Sequence, residues 1–166
     1  MVGVFVFGQL LIEMMYNKIM QKKISSIITV LTLCIIVFVI SLNFVENYRL
    51  IGIILVGLSI LCLLPLRFFK IKISSVKPDI MFGIIDNGVL AVFAIFGGEI
   101  AGVTGAIIGG AVGNALTDGI AGIFEGYSAE SIKNDKRTIL GSAIGKMAGC
   151  LLAAGIVLFV ANIFGF

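Results

Sequence analysis

Two carboxylates sit inside apolar stretches of this chain. Asp86 lies in "FGIIDNGVLAVF", and Asp118 lies in "GNALTDGIAGIFEGY", Gly113 to Tyr127. An acidic side chain left alone in hydrocarbon costs about 2.5–3.5 kcal/mol on an insertion scale, so the placement calls for a partner or a use. Asp, Asn and Glu oxygens are the donors that hard and borderline divalent cations take. On one helix, Asn114 and Asp118 stand about 40° apart, and Asp118 and Glu125 about 20°. The three form a polar stripe in otherwise apolar sequence.

The elements that carry these residues follow from composition. Of 166 residues, 60% are hydrophobic and 13% charged, and the mean hydropathy is +1.19. That balance excludes an ordinary soluble domain. Apolar runs at 2–16, 25–45, 50–66, 80–101, 104–127 and 139–164 approach or exceed the length that crosses a bilayer, and their lack of period-two alternation reads as helix. The expectation is an all-α integral membrane protein of about six transmembrane helices. The first run has no basic flank and no small-residue cleavage site, so it is read as a short span rather than a signal peptide.

Charge sets the orientation. Lys18, Lys22 and Lys23 fall between the first and second runs, Arg67, Lys70, Lys72 and Lys77 between the third and fourth, and Lys133, Lys136 and Arg137 between the fifth and sixth. The alternate connections are poor in basic residues. The positive-inside rule puts the basic loops in the cytoplasm and, with six spans, both termini outside. The pI near 8.8 reflects those loops rather than a nucleic-acid surface. The isoleucine- and lysine-rich composition suggests a prokaryotic cell membrane.

Texture divides the chain in two. Residues 1–77 read as a three-helix membrane scaffold. Residues 78–166 read as a glycine-rich three-helix bundle, because Gly105, Gly109 and Gly113 recur every four residues, as do Gly141, Gly145 and Gly149. Such spacing lets helix backbones approach closely. Pro78 suits the first turn of the helix expected from residue 80.

Depth then brings the two aspartates together. Asp86 lies about 9 Å in from the start of its helix and Asp118 about 13 Å from the end of the next, at 1.5 Å per residue. A tight connection near Gly102 makes the two helices antiparallel neighbours, so the carboxylates are expected to face each other. Facing carboxylates repel unless one is protonated or a cation lies between them. Lys146, about 12 Å into the last helix, offers a competing static ion pair. Glu99 and Glu125 lie near helix ends, where headgroups solvate them. Cys34, Cys62 and Cys150 have no CxxC spacing and read as buried free thiols. The chain has no histidine, no nucleophile–base spacing and no phosphate loop, so neither an enzyme nor a resident cofactor is expected.

"DIMFGIIDNGVLAVFAIFGG" and "GNALTDGIAGIFEGYSAESIKNDKR" together resemble the first two membrane helices of the vacuolar iron transporter (VIT) family, over residues 79–137. Asp86 and Gly88 correspond to an Asn-Asp-Gly-like motif in transposed form. Asn114, Asp118 and Gly119 match a second motif, and Glu125 and Tyr127 approximate a third. The resemblance implies a pathway for ferrous iron and similar divalent metals, exchanged for protons within a homodimer, with Asp86 and Asp118 as its central acidic groups; in the transporter reading these bind the metal and Asn114 and Glu125 assist. The chain departs from the family in lacking its glutamate-rich cytoplasmic domain and a methionine after the second Asp-Gly, and in placing three helices before the matching pair. The functional expectation is a divalent-cation transporter or channel. The alternative is a non-transporting subunit or assembly factor that docks partners through its glycine faces.

Overall fold

The computed structural model describes the backbone of residues 2–47, 50–131 and 138–165, and the side chains of 13–47, 50–120 and 138–165. The described residues form four α-helices: α1 (Val2–Phe44), α2 (Ile51–Phe68), α3 (Ile73–Ser131) and α4 (Ile139–Phe164). All four are long and apolar enough to cross a membrane. Large hydrophobic side chains such as Ile35, Phe38 and Ile107 stand exposed, while Ser26, Ser59, Asp79 and Thr117 are buried. This inverts the soluble pattern and suits a hydrocarbon solvent.

Where two helices were expected at 2–16 and 25–45, the chain makes one. Nothing in "NKIMQKKI", Asn17 to Ile24, breaks a helix. There is no glycine or proline, and Lys, Gln and Met are good helix formers. The polarity of this stretch reports what surrounds the side chains rather than how the backbone runs. Ser26 and Thr29 return their hydroxyls to the carbonyls of Lys22 and Ser25. An unbroken α1 is about 65 Å long, more than twice the roughly 30 Å of a hydrocarbon core. Residues 2–16 therefore do not fold back as a crossing of their own. The expectation of both termini outside loses the crossing on which it rested.

The reversal expected near Gly102 lies at Ala101 and Gly102, where α3 folds back on itself. Gly102 has φ 58° and ψ −140°, a region open to glycine and closed to side chains with a Cβ. The arms 73–100 and 103–131 run antiparallel and in tight register. Gly97 meets Gly105, Phe93 meets Gly109 and Leu90 meets Gly113. Gly97 and Gly105 each turn the Cα toward the other's carbonyl, so a methyl group on either would strike backbone. The first arm packs on α4 through Gly83 and Gly149, and α4 packs on α2 through Gly155 and Gly52. α3 begins at Ile73 rather than near 80, so Pro78 falls inside the helix and not in its first turn.

The helix ends have local causes. α2 stops at a Schellman-type turn, in which Lys70 takes φ 54° and the Ile71 amide donates to the Leu66 carbonyl at 2.9 Å. Ile71 then packs on the cluster of Leu33, Leu66, Val76, Leu140 and Ile144, where all four helices meet. α4 starts with Thr138, whose hydroxyl accepts from the Gly141 amide at 3.0 Å. Gly165 closes it with φ 82°.

Gly149→Ala drives a methyl group into the Ile80 carbonyl and is expected to lower stability by about 1–3 kcal/mol, as overpacking does. Gly57→Ala meets open space and is expected to leave stability unchanged or raise it by up to about 1 kcal/mol. Thermal unfolding of the two variants in detergent checks the contrast.

Candidate functional site

Polar groups occupy the joint between the first arm of α3 and its two neighbours. On that arm Asp79, Phe82 and Asp86 share a face, being three and then four residues apart. On α4, Ser142, Lys146 and Cys150 do the same at steps of four. The two rows meet rung by rung. At the first rung Ser142 Oγ donates to Asp79 Oδ1 at 2.7 Å, and Asp79 is only 2% exposed. At the second the Lys146 ammonium lies over the Phe82 ring, 4.5 Å from its centroid, within cation–π range. At the third the Asn87 amide donates to Cys150 Sγ.

Asp86 joins this row to the hairpin. Its Oδ2 accepts from the Asn87 amide at 3.3 Å, and its Oδ1 accepts from the Thr117 hydroxyl on the second arm. Thr117 Oγ1 also lies 3.2 Å from the Gly113 carbonyl and 3.0 Å from that of Asn114. A hydroxyl has one proton, and the carboxylate is the strongest acceptor of the three. The register of the arms explains the pairing. Gly113 packs on Leu90, and one turn further along each arm Thr117 arrives at Asp86.

Asp118, expected to face Asp86, is one residue past Thr117 and so is turned about 100° from it. It is exposed, and its Oδ2 accepts from the Asn114 amide at 2.9 Å. Asn114 and Asp118 thus come together as the spacing predicts, on the outward side of the second arm, while Asp86 bonds to the residue between them. Glu125 lies outside the residues whose side chains are described. Among the described residues, no ion pair joins Lys146 to Asp86 or Asp118. Cys34 is exposed rather than buried, Cys62 is buried, and Cys150 is half-buried.

Asp79, Phe82, Ser142 and the role of Cys150 do not follow from the sequence reading. Asp79 lies outside a helix expected from residue 80, whereas α3 starts at Ile73 and includes it. Its spacing of seven from Asp86, about 20° around a helix, was the available signal. Cys150, expected as a buried free thiol, is half-buried, accepts from the Asn87 amide and shares a face with Lys146.

Chemically, the seam offers oxygen donors of one carboxylate, one hydroxyl and one amide around Asp86, with a thiol beyond the amide. Among the described residues, no three His, Cys, Asp or Glu side chains converge to hold a metal ion. Among the described residues, Asp86 is the one carboxylate at this junction, and Asp118 stands on the outer face of the second arm. Comparisons with protein-family models, with curated proteins and with solved structures give no match.

Thr117→Val keeps the shape and removes the donor to Asp86. It is expected to lower thermal stability in detergent by about 1 kcal/mol, the loss of one hydrogen bond to a half-buried carboxylate. Thr117→Ser is expected to restore most of the loss.

Proposed function

We propose that the chain is one subunit of a membrane transporter or channel for divalent metal cations of the iron or manganese type. Asp86, Asn114 and Asp118 line the path, with Glu125 further along the second arm. The observation that carries this reading is the Asn114–Asp118 pair on the exposed side of a membrane-length arm. Asp118 is about 24 Å along the helix from the turn at 102 and Asp86 about 23 Å from it on the other arm, and both distances fall short of the roughly 30 Å of a hydrocarbon core. Intramembrane carboxylates are rare and face a bundle interior or a water-filled path. The surface bearing Asp118 therefore becomes an interior when a second copy packs against it, which favours a homodimer with the path between subunits.

A proton exchanged against the ion suits this arrangement. Protonating Asp118 or Asp86 removes the charge that attracts the metal and releases it. The lysine-bearing ends of the helices lie in the cytoplasm, with residues 2–16 on that same side and the C-terminal end of α4 opposite. The competing idea of glycine faces that dock a partner has less support. Gly105, Gly109 and Gly113 are filled by the first arm of α3, and Gly145 and Gly149 by Asp79 and Ile80.

In liposomes, manganese or ferrous iron uptake is expected to fall about tenfold or more in Asp118→Asn and in Asp86→Asn, because ligand charge governs affinity for such ions. Uptake at the wild-type level in both variants would remove the reading.

A further inference from the structure

A cavity of about 220 Å³ lies at the lysine end of the molecule, away from Asp86 and Asp118. Lys22 and Lys23 of α1 line one side of it. Phe69 and Ile71, from the link between α2 and α3, and Ile139 and Leu140, from the first turn of α4, line the other. α2 ends at Phe68, α3 begins at Ile73 and α4 begins at Ile139, so the cavity sits at the level where three membrane helices end. That is the headgroup layer of a bilayer. α1 runs through this level unbroken and brings its two lysines to it.

We propose that this cavity binds the phosphate of an anionic phospholipid. Two lysines that line it, Lys22 and Lys23, supply the charge, and among the described residues no carboxylate pairs with either of them. The remaining wall is chiefly hydrocarbon, from Phe69, Ile71, Ile139 and Leu140. A free inorganic ion would leave that wall unused, whereas a phospholipid sets its glycerol and first methylenes against it. The volume is several times the roughly 30 Å³ share of one water molecule, which suits a headgroup rather than a single solvent molecule. Basic pockets between membrane helices on the cytoplasmic side recognise anionic headgroups in this way. The amides of Ile139 and Leu140, in the first turn of α4, lack intrahelical acceptors and add to the lysines' attraction for an anion.

The position gives the lipid a structural role. α1 touches α2 and α4 far less than these touch each other, and the cavity opens between α1 and the start of α4. A bound lipid fastens the outer helix to the central one.

The test is native mass spectrometry of the detergent-purified full chain with phosphatidylglycerol, with phosphatidylcholine and with inorganic phosphate. The wild type is expected to retain phosphatidylglycerol about tenfold or more over phosphatidylcholine. The double variant Lys22→Gln/Lys23→Gln is expected to lose that preference, and Lys18→Gln, one turn back on the same helix and not among the lining residues, to keep it. Ile139→Trp leaves both lysines in place and fills the cavity. It is expected to abolish retention, and it tests the site even if the double variant unfolds. Wild-type retention in Ile139→Trp, equal losses in Lys18→Gln and the double variant, or binding of inorganic phosphate without preference between the lipids would overturn the proposal.

Discussion

Contact between helix backbones at glycine governs this molecule. Lipid tails give apolar helices little reason to associate, so close packing has to supply what water supplies elsewhere. Gly97 against Gly105, Gly83 against Gly149 and Gly52 against Gly155 bring four helical segments side by side. At these distances the chains have no room to rotate or slide, and register follows. Register in turn selects which polar side chains meet. Asp86 finds Thr117, Asn87 finds Cys150 and Asp79 finds Ser142 because the glycines one turn away hold the backbones in place.

The polar groups repay that rigidity with satisfaction of their own needs. Ser59 Oγ donates to the Ala148 carbonyl at 2.7 Å across α2 and α4, and in the seam between α3 and α4 each polar group of α4 meets a polar or aromatic partner. In hydrocarbon an unmatched donor or acceptor is costly. The arrangement is therefore apolar outside and selectively polar within. Asp118 and Asn114 break the pattern on the outer face of the second arm, which is why they, rather than the better-buried Asp79, define the functional reading.

Much of this was legible in the residues. Hydropathy gave the membrane class, the glycine at 102 gave the reversal, and matched depths put Asp86 and the 114–118 stripe at one level. Less visible was rotation. A single residue's step around a helix turns a side chain by about 100°, and that step decides whether Asp86 meets Asp118 or Thr117. Sequence spacing gives the angles within one helix but not the angle between two, which the glycine contacts fix. The continuity of α1 was missed for a different reason. The lysines of residues 18–23 look like a loop only if every charge in a membrane chain is assumed to sit between helices. A helix longer than the bilayer carries its charges on the part that emerges.

The hairpin turn also bears on how the chain enters a membrane. Between Asp86 and Asp118 the one ionisable side chain is Glu99, and the reversal itself spans only Ala101 and Gly102. Almost nothing hydrophilic has to be hauled across during insertion. The first arm inserted alone would leave Asp86 without the Thr117 hydroxyl, which the second arm supplies when the two are paired. The turn thus couples the arms, because the polar need of one is met only with the other beside it.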